Sequence, residues 1–464
     1  MTATASPAVP AEGLYTPRLR AMTVGSVALV SLLAFEALAV GTAMPTVARS
    51  LDGLGWYALA FGGPLALGVL GMVASGVWCD ARGPRPAMWA GLGLFVAGLL
   101  LAGIAARMEV LVAGRMVQGF GTGLLSVALY VIVGLAYPER LRRRIFAAFA
   151  AAWVVPSLVG PVVAGLIVEH LGWRWVFLAV PVVAVPAVLL IQPGLRALGT
   201  AGRRRPPAGS AGRIGWACGA GVSAALLHHG GQQRGATAVL VVAVALAGLL
   251  ASVPHLLPAG FLRAARGLPT VIGLRALAAA AFAGAEVVIP LMLSRERGLS
   301  PTGAGLALTI GAVSWSLGSW LQGRLPAPAS TATLPRAGLA CIAVGTAGTA
   351  AVLLPPVPVP LGMLAWAVAG LGMGLLFPSL SVLTLSLSAP GEEGRNSSSL
   401  QLGDSLASAT VLALIGALLG MGSAPGPAGY AGTLAVAAGC ALVGALVAGR
   451  VVPDRAAART SAAA

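Results

Sequence analysis

The sequence predicts an all-α polytopic membrane protein, and three observations carry that fold class. Hydrophobic residues fill 58% of the 464 positions and charged residues only 9%, against roughly 25% charged in soluble domains. Apolar runs of about 20 residues, the length that crosses a hydrocarbon core as a helix, recur along the whole chain. No alternating pattern of about ten residues recurs, so a membrane barrel is excluded and helices remain as the spanning structure.

Charge and Gly/Pro punctuation divide the first part of the chain into runs at 21–45, 56–78, 86–106, 109–137, 144–168 and 173–195. Arg18 and Arg20 precede the first run, which is too long for a signal-peptide core and reads as a spanning helix. An Arg/Pro/Gly/Ser linker follows at 196–213, then two shorter runs at 214–231 and 236–257. Polar residues His228, His229, Gln232 and Gln233 cut the first of these short, so the pair reads either as two full spans or as a peripheral hairpin. The two histidines sit at the predicted outer boundary, as solvated interface residues or as a proton relay. Six more runs lie at 269–293, 301–323, 336–354, 361–387, 398–422 and 428–449.

The pattern is six, two, six, or 14 spans. It divides the chain into a cytoplasmic tail (1–20), an N-terminal six-helix bundle (21–195), a cytoplasmic linker (196–213), two extra central helices (214–257), a C-terminal six-helix bundle (258–449) and a second cytoplasmic tail (450–464).

Charge supplies the orientation. The net charge of +16 comes from 29 arginines and no lysine, a usage that with 64 glycines points to a GC-rich bacterial gene. With the N-terminus cytoplasmic, 21 of the 29 arginines fall in cytoplasmic loops, six fall outside, and Arg115 and Arg275 lie within runs. Both termini are therefore expected in the cytoplasm of a bacterium, and the chain in its plasma membrane. The basic loops face anionic lipid heads; scattered as they are, without interleaved aromatics, they do not read as a nucleic-acid surface. Cys79, Cys218, Cys341 and Cys440 fall in separate runs, with no CxxC and no histidine at ligand spacing, and read as small buried hydrophobes.

Three acids stand inside apolar runs: Glu36, Glu286 and Asp404. A carboxylate at the centre of a membrane helix opposes insertion by about 2.5–3.5 kcal/mol, so each marks a candidate functional position. Aligning Arg49 with Arg295 superposes the ends of the first and ninth runs. It places Glu286 one turn outward from the equivalent of Glu36, so both acids are expected on one face of equivalent helices. Asp404 lies nearer the cytoplasmic end, either wet or paired with Arg395, in a structural or a transport role. Arg115 has two readings: it snorkels to the outer surface, or it faces the central cavity at the depth of Glu36 and balances it.

Motifs now add a family. Gly76-Val-Trp-Cys-Asp80-Ala-Arg82-Gly83-Pro-Arg85 resembles the signature loop G-x-x-x-D-x-x-G-x-R/K of the major facilitator superfamily. The resemblance implies that Gly76, Asp80, Arg82, Gly83 and Arg85 form a latch on the cytoplasmic side, although Ala81 stands where the family often has arginine. Arg115-Met-Val-Gln118-Gly119-Phe-Gly121 resembles the R-x-x-Q-G-x-G element of the same superfamily, which implies that Arg115 and Gln118 belong to the central cavity. Pro156-Ser-Leu-Val-Gly160-Pro161-Val-Val-Ala164-Gly165 is similar to the antiporter element of exporters, with Pro156 and Ala164 replacing two family glycines. There proline kinks the helix, and Gly160 and Gly165 are expected to admit a partner helix against the bend.

With six-two-six runs, these resemblances imply the fourteen-span drug:proton antiporter family and the major facilitator fold. Such a protein rocks two halves about a central site, without a cofactor, driven by the proton gradient. The expectation is multidrug efflux as a monomer, exchanging small amphiphilic substrates for protons at Glu36 and Glu286. Burial disfavours a charged carboxylate and an approaching cation favours it, which links protonation to the access state. Rival readings are an exporter dedicated to one metabolite or lipid, a proton-coupled importer, and a membrane receptor. No Ser/His/Asp arrangement, Cys/His pair at one depth or phosphate loop points to an enzyme. The glycines at 370, 372 and 374 read as helix packing, because no strand precedes them.

Overall fold

A computed structural model describes residues 13–17, 19–53, 56–197, 209–230, 236–299, 301–325, 331–420 and 426–452. Most of both tails and of the linker, with Gln232, Gln233 and the side chains of His228 and His229, lies outside these residues. The described residues form helices and turns, with no strand among them.

The first four runs are single helices: α1 (Arg20–Ser50), α2 (Tyr57–Arg82), α3 (Pro84–Gly103) and α4 (Met108–Ala136). The fifth run breaks into α5 (Glu139–Ala151) and α6 (Val154–His170), and the sixth into α7 (Arg174–Leu178) and α8 (Val180–Ala197). Chemistry explains the first break. Pro156 has no N–H to give the carbonyl four residues earlier, that of Ala152, and the hydroxyl of Ser31 on α1 donates to that carbonyl instead, at 2.9 Å.

The middle pair is α9 (Ser210–Gly230) and α10 (Ala236–Leu256). The last six runs are α11 (Leu268–Arg297), α12 (Pro301–Arg324), α13 (Thr333–Ala350), α14 (Val359–Ser386), α15 (Glu393–Gly420) and α16 (Pro427–Val447). Helices overrun the apolar runs, as in α2, which continues to Arg82, because helical hydrogen bonding extends until a residue such as Gly83 (φ +78°) ends it.

Each block closes on its own apolar core, one around Leu29, Phe95, Leu111 and Phe177, the other around Leu274, Ile289, Met373 and Leu434. The α9–α10 pair lies against α2, with Ala217, Leu227, Ala245 and Leu249 sharing a third core with Val69 and Val73. α10 turns Val239, Leu240, Val244 and Leu250 outward, each more than half exposed, a face suited to lipid. On α14, Gly370 and Gly374 face α12 and Gly372 faces α13, so the glycine stripe packs helices. Cys79 is buried, but Cys218 is exposed on α9, contrary to the expectation of four buried cysteines.

Twelve helical segments among the described residues are long and apolar enough to cross a membrane, counting α5 with α6 and α7 with α8. α10 is one of them and α9, of 21 residues, is not, while part of α12 lies outside the residues described in full. The two blocks meet through α2 against α15 and α5 against α12 and α14. These contacts lie at the arginine-rich end: Gly76 approaches Gly394 and Ser398, and Gly323 approaches Ala147.

Candidate functional site

Between the two blocks lies a cavity of about 560 Å³. Its wall is largely apolar and carries aromatic rings from both blocks, Tyr130, Phe146, Phe149 and Trp153 from the first and Phe282, Trp315 and Phe377 from the second. The second-block rings are fixed by each other: Phe282 stacks on Trp366 at 4.5 Å, and Trp315 stands edge-on to Phe282 and to Phe377, both at 5.2 Å. Fixed rings of this kind offer apolar area with little ordering penalty to a flat or greasy molecule.

The polar groups on the wall are few. Glu286 stands on α11, exposed, one turn beyond Phe282, with no ion pair or hydrogen bond among the described residues. About 16 Å nearer the arginine-rich end, taking 1.5 Å per residue, the same helix carries Arg275. Its Nε donates to Asp404 Oδ2 at 2.8 Å, its Nη1 to Ser381 Oγ at 2.5 Å and its Nη2 to the Tyr130 hydroxyl at 3.0 Å. The guanidinium lies 4.5 Å from the Phe377 ring centroid, within cation–π range. Asp404 therefore pairs with Arg275 and not with Arg395, which bonds Glu392 at 3.3 Å.

Glu36 lies elsewhere. Arg115 on α4 donates to both Glu36 on α1 and Gln118 Oε1, the latter at 2.7 Å, and all three are buried inside the first block. Arg115 turns inward and balances Glu36, but neither of them nor Gln118 is on the cavity wall, where α1 contributes Val30, Leu33 and Leu38, so their expected place in the central cavity is corrected. The expectation that Glu36 and Glu286 share one face of equivalent helices is corrected accordingly. Glu36 is turned inside the first block toward Arg115 of α4, while Glu286 of α11 looks into the cavity.

At the arginine-rich end Asp80 accepts the backbone N–H groups of Gly394 at 2.7 Å and Arg395 at 2.8 Å. It thus satisfies two free donors at the start of α15, where the helix dipole also favours an anion. Gly76 lets the helices approach this closely, since a Cβ there would sit 2.8 Å from the Gly394 carbonyl oxygen. Gly83 ends α2 and Pro84 opens α3, which brings the chain round. Arg82 and Arg85 are exposed and take no part in the Asp80 contact, so the expectation that arginines answer the aspartate is corrected: backbone amides do. Sequence reading passed over Arg213 of α9, which donates to the Leu256 carbonyl and to Ser399 Oγ, both at 2.9 Å, and ties the middle pair to α15.

In α6 the expectation of a helix pressed against the glycines also changes. A Cβ on Gly165 would meet nothing within 4 Å, and one on Gly160 would make ordinary contact with Phe35 at 3.7 Å. The break between α5 and α6 lies just ahead of Pro156, Pro161 lies within α6, and neither glycine is closely packed.

Relatives fit this picture. The chain is 30% identical over 188 residues to the multidrug transporter protein MdtP of Bacillus subtilis, covering 40% of this chain and 34% of that protein. It is 29% identical over 331 residues to a probable multidrug-efflux transporter of Mycobacterium tuberculosis, covering 67% of this chain and 68% of that one. Its fold matches the human organic anion transporter MFSD10, with a TM-score of 0.68 at 15% identity over 93% of this chain and 100% of that chain. It also matches a bacterial homologue of the iron transporter ferroportin in its outward-facing state, with a TM-score of 0.66 at 14% identity over 92% of this chain and 97% of that chain. All four are transporters and not enzymes. A profile of the Major Facilitator Superfamily matches residues 25–326, and the chain belongs to that superfamily of multi-span membrane transporters.

Proposed function

We propose that the protein is a proton-coupled secondary transporter that exports hydrophobic or amphiphilic compounds, cations foremost, in exchange for protons by alternating access. The observation that carries this reading is the unpaired carboxylate of Glu286 on the aromatic wall of a cavity held between two helix blocks. A lipophilic cation gains both apolar burial and a counter-charge there, and the same carboxylate is the natural acceptor for a proton once the cation has left. Multidrug efflux in the named bacterial relatives supports the substrate class.

On this reading the chain has fourteen spans, with α9 and α12 among them, and both termini in the cytoplasm of a bacterial plasma membrane. The Asp80 end is then cytoplasmic, and the arrangement described is closed on that side. Substrate would enter from the cytoplasm once α2 and α15 separate, and leave to the outside from the closed-latch state. Glu36 with Arg115, inside the first block, and Asp404 with Arg275, at the seam between the blocks, are further candidates for proton coupling. The protein works as a monomer without a cofactor.

The test is reconstitution into liposomes with an imposed pH gradient and a panel of cationic, neutral and acidic amphiphiles. Expected is gradient-driven extrusion of the cationic members, abolished by Glu286→Gln and uncoupled from protons by Glu36→Gln. Accumulation in the direction of proton flow would make the protein an importer, and wild-type proton exchange by Glu36→Gln would remove Glu36 from the coupling path.

A further inference from the structure

We propose that Arg275, held in place by Asp404, is the positioning residue that ties the two blocks together at the closed end of the cavity through Tyr130. The inference rests on the alternating-access reading above and adds to it a specific part.

The argument begins with geometry. Arg275 is 4% exposed, and its guanidinium spreads its donors over three partners. Asp404 on α15 and Ser381 on α14 belong to the second block with Arg275 itself, but Tyr130 is on α4 of the first. The bond to Tyr130 therefore crosses between bodies that must separate when this end opens. Tyr130 is itself placed: its ring packs at 4.9 Å from Phe146 and 6.5 Å from Phe149, both on α5. A planar guanidinium has its donors in a fixed fork, so the carboxylate that holds Nε also aims Nη2.

The same carboxylate faces the cavity. Asp404 and Gln401, one turn apart on α15, both line it, and Asp404 Oδ1 has no hydrogen-bond partner among the described residues. Whatever engages Asp404 competes with its grip on Arg275. When that grip fails, the fork loses the member that orients it, and the contact that suffers is the long reach to Tyr130. Occupancy deep in the cavity thus acts on closure at the arginine-rich end without touching the Asp80 contact. The Glu36–Arg115 pair cannot act in this way, because both its members and Gln118 lie within one block.

The test reads closure directly. With the four native cysteines replaced, spin labels at Glu139→Cys and Ala389→Cys, both exposed and on opposite blocks at the Asp80 end, report the separation of the blocks in lipid nanodiscs. Tyr130→Phe removes one hydroxyl and keeps the ring. It is expected to raise the long-distance population roughly tenfold or more, the ratio that follows from losing a hydrogen bond to a charged group. Asp404→Asn is expected to do the same, and the double variant no more than either single one, because both changes act through Arg275.

An unchanged distance distribution in Tyr130→Phe overturns the proposal, as do shifts that add in full. Should Asp404→Asn fail to fold, Tyr130→Phe alone decides. No substrate is present, so a failure of the transport assay would leave this measurement standing, and a failure here would leave drug export standing.

Discussion

The two buried ion pairs of this protein share their chemistry and differ in their neighbours. Arg115 and Glu36 join α4 to α1 inside one block, with Gln118 as third member. Arg275 and Asp404 join α11 to α15 at the cavity wall, with a third member, Tyr130, in the other block. A pair of the first kind holds a bundle together, and rigid rocking leaves its surroundings nearly unchanged. A pair of the second kind lies on the seam, so it experiences every change of access. Whether a buried carboxylate can report the state of a transporter thus depends less on its depth than on whether its partners move apart.

Stability should not distinguish the two pairs, and this gives the largest expected effect. Arg275→Met and Arg115→Met each leave a buried carboxylate without its cation, which costs about 3–5 kcal/mol. Thermal unfolding of the solubilised protein should show both variants strongly destabilised. Removing the acid as well, in Arg275→Met with Asp404→Leu or Arg115→Met with Glu36→Leu, should recover most of the loss. A single variant as stable as the parent would mean that the pair is solvated and the comparison void.

The seam itself gives the next effect. Gly76→Val would drive a branched side chain against the Gly394 carbonyl and Ser398, an overpacking worth about 1–3 kcal/mol, directed wholly against the closed state. Asp80→Ala should weaken closure by about 1 kcal/mol, as loss of a helix cap does. The same label pair across the Asp80 end should lengthen in both, Gly76→Val the more. Equal distances in parent and variants would show that this contact does not set the closed state.

How much of this was legible beforehand differs from residue to residue. Membrane-spanning helices follow from run length, and Asp80 and Gly76 from a motif whose spacing demands a close helix approach. The contact between Arg115 and Glu36 follows from matching depths on separate runs; its role is a matter for transport assays. Arg275 could have been found by the same rule, since it and Asp404 lie at similar distances from one end, yet Asp404 was set against Arg395 because they are near in sequence. Nine residues along a helix of 3.6 residues per turn put those two on opposite faces. The side of α1 that would meet the cavity was not legible, because weak symmetry between blocks aligns residues without saying which neighbour each face meets. The break at Ala152 was half legible: proline announces a bend, but the hydroxyl that answers the freed carbonyl, from Ser31, is 121 residues away.

Glu286 separates stability from function. Exposed in the cavity and unpaired, it should tolerate Glu286→Gln with a change of about 0.5 kcal/mol or less in unfolding. Transport of cationic amphiphiles should nevertheless collapse, while neutral ones retain part of their rate. Equal loss for both classes would indicate a general defect of cycling rather than the loss of a counter-charge.

The smallest effects belong to residues that motif resemblance places beside Asp80 and geometry does not. Arg82 and Arg85 are exposed, and the Asp80 oxygens are already occupied by two backbone N–H groups. On the proposed topology they face lipid head groups, where one arginine contributes about 1 kcal/mol to the surface attraction. Arg82→Gln and Arg85→Gln should leave the inter-block distance at the Asp80 end unchanged, with stability within about 0.5 kcal/mol of the parent. If either lengthened that distance as much as Asp80→Ala, the side chain would have to reach the latch in a state other than the closed one, and the seam would then be held by two different sets of contacts during the cycle.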